Sequence, residues 1–111
     1  MSISNIARSL GKELISTKEY KIMKDKKEKL FSHSKLGQHA KRYETKQLNI
    51  MNMKVPPNKK QSLLSNLTVE YKTLLSTNEM KEYLASITEF QKRTFLMFDT
   101  LHRELNKTIN G

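Results

Sequence analysis

An all-α fold is predicted by three features of the sequence: its composition, the spacing of its apolar residues and the position of its helix breakers. The 111-residue chain contains only three glycines and two prolines, and 29% of its residues are charged. Low Gly and Pro with abundant Lys, Leu and Glu is typical of a mostly helical protein and not of a sandwich or barrel. We therefore predict an elongated antiparallel helical bundle or hairpin with a long C-terminal helix, and we expect it to be dimeric.

Two amphipathic helices are predicted in the first third of the chain. Apolar residues recur at i, i+3 and i+4 over residues 3–14, which is the spacing of one helical face. A second stripe runs over residues 20–31 and has a highly charged opposite face. The polar dipeptide at 16–17 predicts a break between them, and Ser16 with Glu19 has the pattern of a capping box.

The third helix is predicted by an apolar stripe over residues 36–54. It follows a polar segment at 32–34, in which Ser34 is a candidate N-cap. The interruptions on either side of the second helix are compatible with kinks or with fully separated helices. Two prolines then form the one strong breaker, because proline lacks the amide proton and disfavours helix in the residue before it. We predict a turn near residues 55–58.

The C-terminal half is predicted to hold one shorter and one very long helix. Helix resumes near Lys59 and breaks again at 76–78, where Thr77 or Asn78 can cap the last helix. That helix keeps one apolar stripe over residues 80–109, a length of about 45 Å at 1.5 Å per residue. A chain of this size cannot cover such a stripe alone, so the stripe favours an antiparallel hairpin with the first half, a dimer, or both.

A short internal similarity links the two halves. Residues 14–21 read LISTKEYK and residues 74–81 read LLSTNEMK. We interpret both segments as helix–cap–helix junctions that use the same residue types, because one short match does not establish a repeat.

The positive charge of the protein is unevenly distributed. The formal net charge is +10; residues 1–60 hold fifteen Lys/Arg against five Asp/Glu, and residues 61–111 hold six of each. We predict a single helical domain over residues 1–111, in which the turn separates a basic N-terminal half from a charge-neutral C-terminal half. Such asymmetry makes the basic half a candidate site for polyanions or acidic partners.

The second helix carries the candidate patch for a polyanion or an acidic partner. Dense lysines on a helix face can contact phosphates without base-specific chemistry. Acidic residues are interspersed, arginines are scarce and no RNA-binding motif is present, so a solvated face is the alternative interpretation. The apolar side also lacks the bulky residues of a membrane-surface helix. The patch comprises Lys18, Lys21, Lys24, Lys26, Lys27 and Lys29.

No catalytic or cofactor-binding constellation is recognisable in the sequence. The chain has no cysteine, which excludes thiolate nucleophiles, disulfides and cysteine-held clusters. His33 and His39 are six residues apart and lack the i, i+4 register of a helical metal site, so we expect exposed or capping histidines. There is no glycine-rich phosphate loop. We predict a non-enzymatic protein without cofactor or metal.

The targeting features of the sequence predict a cytoplasmic protein. The N-terminus lacks the basic-then-apolar order of a signal peptide. No apolar run approaches the roughly 20 residues that a membrane-spanning helix needs.

The apolar centre of the last helix is a candidate oligomer seam. Because interfaces and cores share the same chemistry, this set fits a seam and an intramolecular core equally well. Its members are Phe90, Thr94, Phe95, Met97, Phe98, Leu101 and Leu105.

Several of these junctions also carry a family resemblance. The resemblance is carried by the segment STKEY at 16–20, the Gln47-containing third helix, the proline turn and NEMKEYL at 78–84 followed by Phe90, and it extends over most of the chain, residues 3–109. In these motifs the sequence resembles the YlbF/YmcA (YheA-like) family of small helical regulatory proteins.

The resemblance implies an α-helical protein that forms dimers or higher oligomers through its long helices. Relatives act in competence, sporulation and biofilm development, and as adaptors in RNA maturation. Some relatives bind iron–sulfur clusters through a cysteine tail, and no cluster is expected in a chain without cysteine. The predicted function is therefore a regulatory adaptor that binds a protein partner through its helices. A direct RNA- or nucleic-acid-binding module in the basic half is the alternative, and a purely structural oligomer the third possibility.

Overall fold

The computed structural model describes residues 2–110, which form helices joined by short turns without any strand. Helices account for 89% of these residues. The prediction of an all-α fold with a long C-terminal helix is therefore confirmed. The helices are α1 Ile3–Ile15, α2 Lys18–Ser32, α3 Ser34–Met51, α4 Pro57–Glu70, α5 Lys72–Leu75 and α6 Asn78–Asn110.

The helix boundaries resolve the alternatives that the sequence left open and correct some positions. Both early interruptions separate distinct helices. The third helix ends at Met51, three residues earlier than predicted, and the fourth begins at Pro57, two residues earlier. A proline in the first turn of a helix lacks only an amide proton that would have no intrahelical acceptor there. Ser34 lies inside α3, and the N-cap position belongs to His33, whose side chain makes no capping hydrogen bond.

The two similar junctions at 14–21 and 74–81 have the same local geometry. The Thr17 hydroxyl donates to the Leu14 carbonyl at 2.6 Å and accepts from the Tyr20 amide at 3.2 Å. Thr77 makes the equivalent bonds to Leu74 and Met80 at 2.8 and 3.3 Å. In each junction one hydroxyl therefore joins the end of one helix to the start of the next.

The capping box predicted for Ser16 and Glu19 is wrong. The Ser16 hydroxyl instead donates to the Glu13 carbonyl at 2.8 Å, at the end of α1. The Oε2 atom of Glu19 is buried without a hydrogen-bond partner among the described residues. The cap is one residue later, at Thr17, because the hydroxyl there can serve both helices at once.

We expect Thr77→Val to lower the free energy of unfolding by about 1 kcal/mol, since valine keeps the shape of threonine but cannot accept from the Met80 amide. Ser76→Ala is the matched control. Its hydroxyl donates only to the Lys72 carbonyl in an exposed position, and its loss should change stability by less than about 0.5 kcal/mol. Urea unfolding measures both variants, and equal effects at the two positions would contradict the capping role of Thr77.

Residues 26–83 form one compact unit, here called the core unit. In it α3 packs against α4 and α5. The rings of Tyr43 and Tyr71 meet edge to face with centroids 5.4 Å apart, a geometry worth about 0.5–1.5 kcal/mol beyond burial. The buried apolar residues of the unit are Leu30, Ala40, Tyr43, Ile50, Leu67, Tyr71, Leu74, Met80 and Tyr83.

The junction between α2 and α3 depends on a close backbone approach at Gly37. A Cβ atom at this buried position would lie 2.6 Å from the Phe31 carbonyl oxygen and 2.9 Å from its carbon. Real side chains do not tolerate such distances to backbone atoms. Glycine therefore lets α3 follow α2 with a single residue, His33, between them.

Tyr83 anchors a polar contact inside the core unit. Its hydroxyl donates to Glu44 Oε2 at 3.3 Å, and its ring lies 6.1 Å from that of Phe31. The other Glu44 oxygen lies 3.9 Å from Lys27 Nζ. Burial, together with the neighbouring Glu44 carboxylate, raises the pKa of Tyr83 to about 12.

The raised pKa of Tyr83 makes a contribution to stability that is lost at alkaline pH. The native state keeps the phenol proton up to about pH 12, whereas the unfolded chain loses it near the ordinary pKa of 10.0. Since the unfolded state binds fewer protons in this window, the free energy of unfolding falls as the pH rises through it. Tyr83→Phe lacks this dependence. We expect the stability difference between wild type and Tyr83→Phe to shrink across the window in urea titrations, and a constant difference would contradict the assignment.

Residues 2–25 and 84–110 form a second compact unit, here called the terminal unit. It contains α1, the first part of α2 and most of α6. Among its described residues only Ser86 is buried, and α1 buries no residue at all. The described apolar side chains of this unit are thus all at least partly accessible to solvent.

Candidate functional site

The C-terminal part of α6 exposes four large apolar side chains on one side of the helix, here called the open face: Phe95, Phe98, Leu105 and Ile109. At 100° per residue these four positions fall within about 80° of the helix circumference. Phe95 is 70% exposed, and Phe98 and Leu105 are each 50% exposed. Large apolar side chains clustered on one side of a helix are characteristic of an interaction surface, whereas scattered ones are not.

The seven residues predicted as an oligomer seam are divided by the structure into two groups. The inner group is half-buried and consists of Phe90, Thr94, Met97 and Leu101. The outer group is exposed and consists of Phe95, Phe98 and Leu105. One predicted set therefore contains side chains that pack within the terminal unit and side chains that remain accessible.

Three members of the inner group face α1 or α2 within the terminal unit. The ring of Phe90 lies 5.6 Å from that of Tyr20, in a tilted arrangement. Further along α6, Met97 and Leu101 line a groove of about 430 Å³ together with Leu10 of α1. These contacts leave the side of α6 that carries the open face uncovered.

The surface of α6 away from the apolar stripe is solvated and charged. Three exposed ion pairs at i, i+3 or i, i+4 spacing lie along it: Lys92 with Glu89 at 3.3 Å, Arg103 with Asp99 at 3.0 Å and Lys107 with Glu104 at 3.4 Å. Exposed helical pairs of this kind contribute only about 0.3–0.5 kcal/mol each. Neither α6 nor another helix within residues 2–110 is long and apolar enough to cross a membrane.

The predicted seam omits two exposed apolar residues of α6. Ile109, four residues after Leu105, belongs to the apolar stripe predicted over residues 80–109 but is not included in the seam. Leu96 is 52% exposed and lies on the other side of the helix, where it lines the groove with Leu10. No periodic pattern marks Leu96, since it falls outside the i, i+3, i+4 stripe.

Some lysines of the candidate patch on α2 are paired with carboxylates and others are not. Lys18, Lys21 and Lys24 are exposed and make no ion pair with the residues that the structure describes. Lys26 pairs with Glu82 at 3.1 Å, and Lys27 lies 3.9 Å from a carboxylate and 5.4 Å from an aromatic ring. Carboxylates from other helices thus reduce the positive charge of the second half of the stretch, which also contains the exposed Lys29.

The histidines and carboxylates do not gather into a metal site. His33, His39 and His102 are all exposed, as the sequence predicts for the first two. Within residues 2–110 no three His, Asp or Glu side chains are grouped so that they could hold a metal ion.

Comparison with known proteins places this helical chain in a family. The model of the family described as "Control of competence regulator ComK, YlbF/YmcA" matches residues 3–110, which include all of the described helices. The chain belongs to the YlbF/YmcA family. The resemblance that the junction motifs predict is thereby confirmed. No curated protein and no solved structure matches the chain.

Membership of the YlbF/YmcA family fits a regulatory role, because the family is described by its control of a competence regulator. The matched range includes α1 and the open face of α6. The exposed apolar residues of the terminal unit are therefore part of the YlbF/YmcA domain itself.

Proposed function

We propose that this YlbF/YmcA protein is a non-enzymatic, cytoplasmic regulatory adaptor that forms a homo-oligomer through the open face of α6 and docks a protein partner. The observation that carries the proposal is the contrast between the two units. The core unit buries nine apolar side chains, and the described part of the terminal unit buries none. A family described by control of a competence regulator supports the regulatory part of the proposal.

The energetics of the open face favour a covered state. Helices are stabilised chiefly by the packing of an apolar face, and propensity alone contributes little. Fully burying one large apolar side chain stabilises by about 1.5–3 kcal/mol, and each member of the open face is at least half exposed. Covering four such side chains on one chain therefore offers several kcal/mol, before the entropy of association is subtracted.

A second copy of the chain is the partner that best matches this surface. A two-fold interface brings the same patch of both subunits together, so an apolar patch meets an apolar patch. The two phenylalanines, Phe95 and Phe98, belong to the residue type that is enriched at interface centres. The charged pairs of α6 lie away from the open face and would stay in water.

Co-purification of two differently tagged full-length chains tests the proposal. After nuclease treatment and at moderate salt, we expect the tagged chains to recover one another, together with a specific protein that Phe98→Asp fails to recover. Recovery that disappears on nuclease treatment would contradict the proposal, because nucleic acid would then be the bridging component. Recovery of the same proteins by Phe98→Asp would also contradict it, since self-association would then not depend on the open face.

A further inference from the structure

The outward side of α3 carries positive charge without any neighbouring carboxylate of its own helix. Glu44 is the one acidic residue of α3. Its two oxygens are held by the Tyr83 hydroxyl at 3.3 Å and by Lys27 at 3.9 Å, inside the core unit. We call the opposite, exposed side the α3 outer face: Lys35, Gln38, Lys41, Arg42, Thr45 and Lys46.

The α3 outer face differs from α2 in having no acidic residue among its cations. The whole of α3 contains four Lys/Arg and one acidic residue, whereas α2 contains six lysines interspersed with three acidic residues. Lys35, Lys41 and Arg42 are exposed and form no ion pair with the described part of the chain. Of the four cations on this face, Lys46 alone is paired there, with Glu70 at 2.8 Å.

We propose that the α3 outer face binds the phosphodiester backbone of a nucleic acid. The six side chains fall within about 140° of the helix circumference, and residues 35–46 extend about 16 Å along its axis. With one phosphate per roughly 3.4 Å of a strand, that length faces about five phosphates. Lysine and arginine supply the charge, and the Gln38 amide and Thr45 hydroxyl are among the side chains that hydrogen-bond phosphate oxygens.

An acidic protein would fit this face less well than a nucleic acid. The centre of a protein–protein interface is depleted of charge and enriched in apolar and aromatic residues. Among the exposed residues of α3 from 35 to 50, Leu48 is the only large apolar side chain. The surface instead combines four cations with the polar side chains of Gln38 and Thr45, which is the composition of a phosphate-contacting surface.

Fluorescence anisotropy tests the proposal. The labelled probes are RNA, single-stranded DNA and duplex DNA, each about twenty nucleotides or base pairs long, and the salt concentration is varied over about 50–200 mM. The test variant is the triple substitution Lys35→Gln, Lys41→Gln and Arg42→Gln. The control is Lys18→Gln, Lys21→Gln and Lys24→Gln, which removes the same charge from α2. Circular dichroism and light scattering of each variant show whether folding and self-association are unchanged.

The proposal predicts that the α3 variant loses at least tenfold in affinity. Since three phosphate contacts are removed, its log–log salt slope should fall by about 2 for single strands and by about 3 for duplex DNA. The α2 variant should lose less than about threefold. A loss of affinity in the α3 variant for any of the three nucleic acids supports the proposal. The nucleic acid that the wild type binds most tightly identifies the ligand as RNA or DNA. Equal losses in both variants, absence of binding by the wild type, or equally tight binding of a polyglutamate peptide would overturn it. Unchanged light scattering in the α3 variant separates this result from the proposed self-association.

Discussion

Replacing Phe98 by aspartate is expected to dissociate the self-associated protein into monomers. Phe98 lies within the open face and is half exposed in the single chain. A carboxylate there would have to lose its water when a second chain covers it, without a partner for its charge. Substitution of an aromatic residue at an interface centre costs at least about 2 kcal/mol, so we expect the dissociation constant to rise by at least about thirtyfold. Sedimentation equilibrium measures this change.

Leu48→Asp is the matched control for Phe98→Asp. Leu48 has a similar exposed fraction, 53%, but lies on α3 in the core unit. Because it adds the same charge at a similar exposure, it separates an effect of the open face from a general effect of charge. We expect a change of less than about threefold in the dissociation constant, within the range of ordinary surface substitutions. If Leu48→Asp dissociated the protein as strongly as Phe98→Asp, the open face would not be the interface.

Leu74→Ala is expected to cause the largest loss of folding stability among single truncations in the chain. Leu74 is 1% exposed and is one of the two largest fully buried side chains. Its backbone carbonyl also accepts the Thr77 hydroxyl at the start of α6. Truncating a buried leucine costs about 2–5 kcal/mol, because apolar transfer energy is lost and a cavity remains. A small domain is stable by only about 5–15 kcal/mol in total, so this variant should lose a substantial part of its stability.

Urea unfolding followed by circular dichroism checks the prediction for Leu74, with Leu48→Ala as control. The control removes the same atoms from an exposed position in the same unit. Its effect should stay within about 0.5 kcal/mol. A loss of less than about 1 kcal/mol for Leu74→Ala would show that α5 is not part of the cooperative core.

The helices were largely predictable because their signals are local. The apolar spacing of residues 3–14 and of residues 80–109 and the two prolines at the start of α4 act within a few residues along the chain. Cap positions were less predictable, since Ser16 and Thr17 have the same chemistry. Which hydroxyl caps α2 depends on whether it also reaches the preceding carbonyl at Leu14, and Thr17 does.

The break between α4 and α5 could not be predicted, because no local signal marks it. Tyr71 sits between Glu70 and Lys72, and none of these residues is a helix breaker. In the structure Tyr71 is buried, and its ring packs against those of Tyr43 and His39. The backbone there leaves helical geometry, with φ of −104° and ψ of 25°. These ring contacts come from residues about thirty positions away, which a local pattern does not register.

The candidate site depended even more on long-range contacts. The sequence grouped Phe90, Met97, Phe98 and their neighbours by periodicity, but only the packing of α1 and α2 shows which of them are covered. Similarly, the compensation of Lys26 by Glu82 joins residues 56 positions apart. Charge counting identified the basic half, and the three-dimensional structure shows which cations have ion-pair partners.

Light scattering of the wild-type protein over a dilution series tests the central claim most directly. The claim is that the open face of α6 is covered by a second copy of the chain. It predicts a mass of at least twice the 13.0 kDa of one chain at micromolar concentration, falling toward the single-chain value on dilution. A mass of 13.0 kDa at every concentration would contradict the claim.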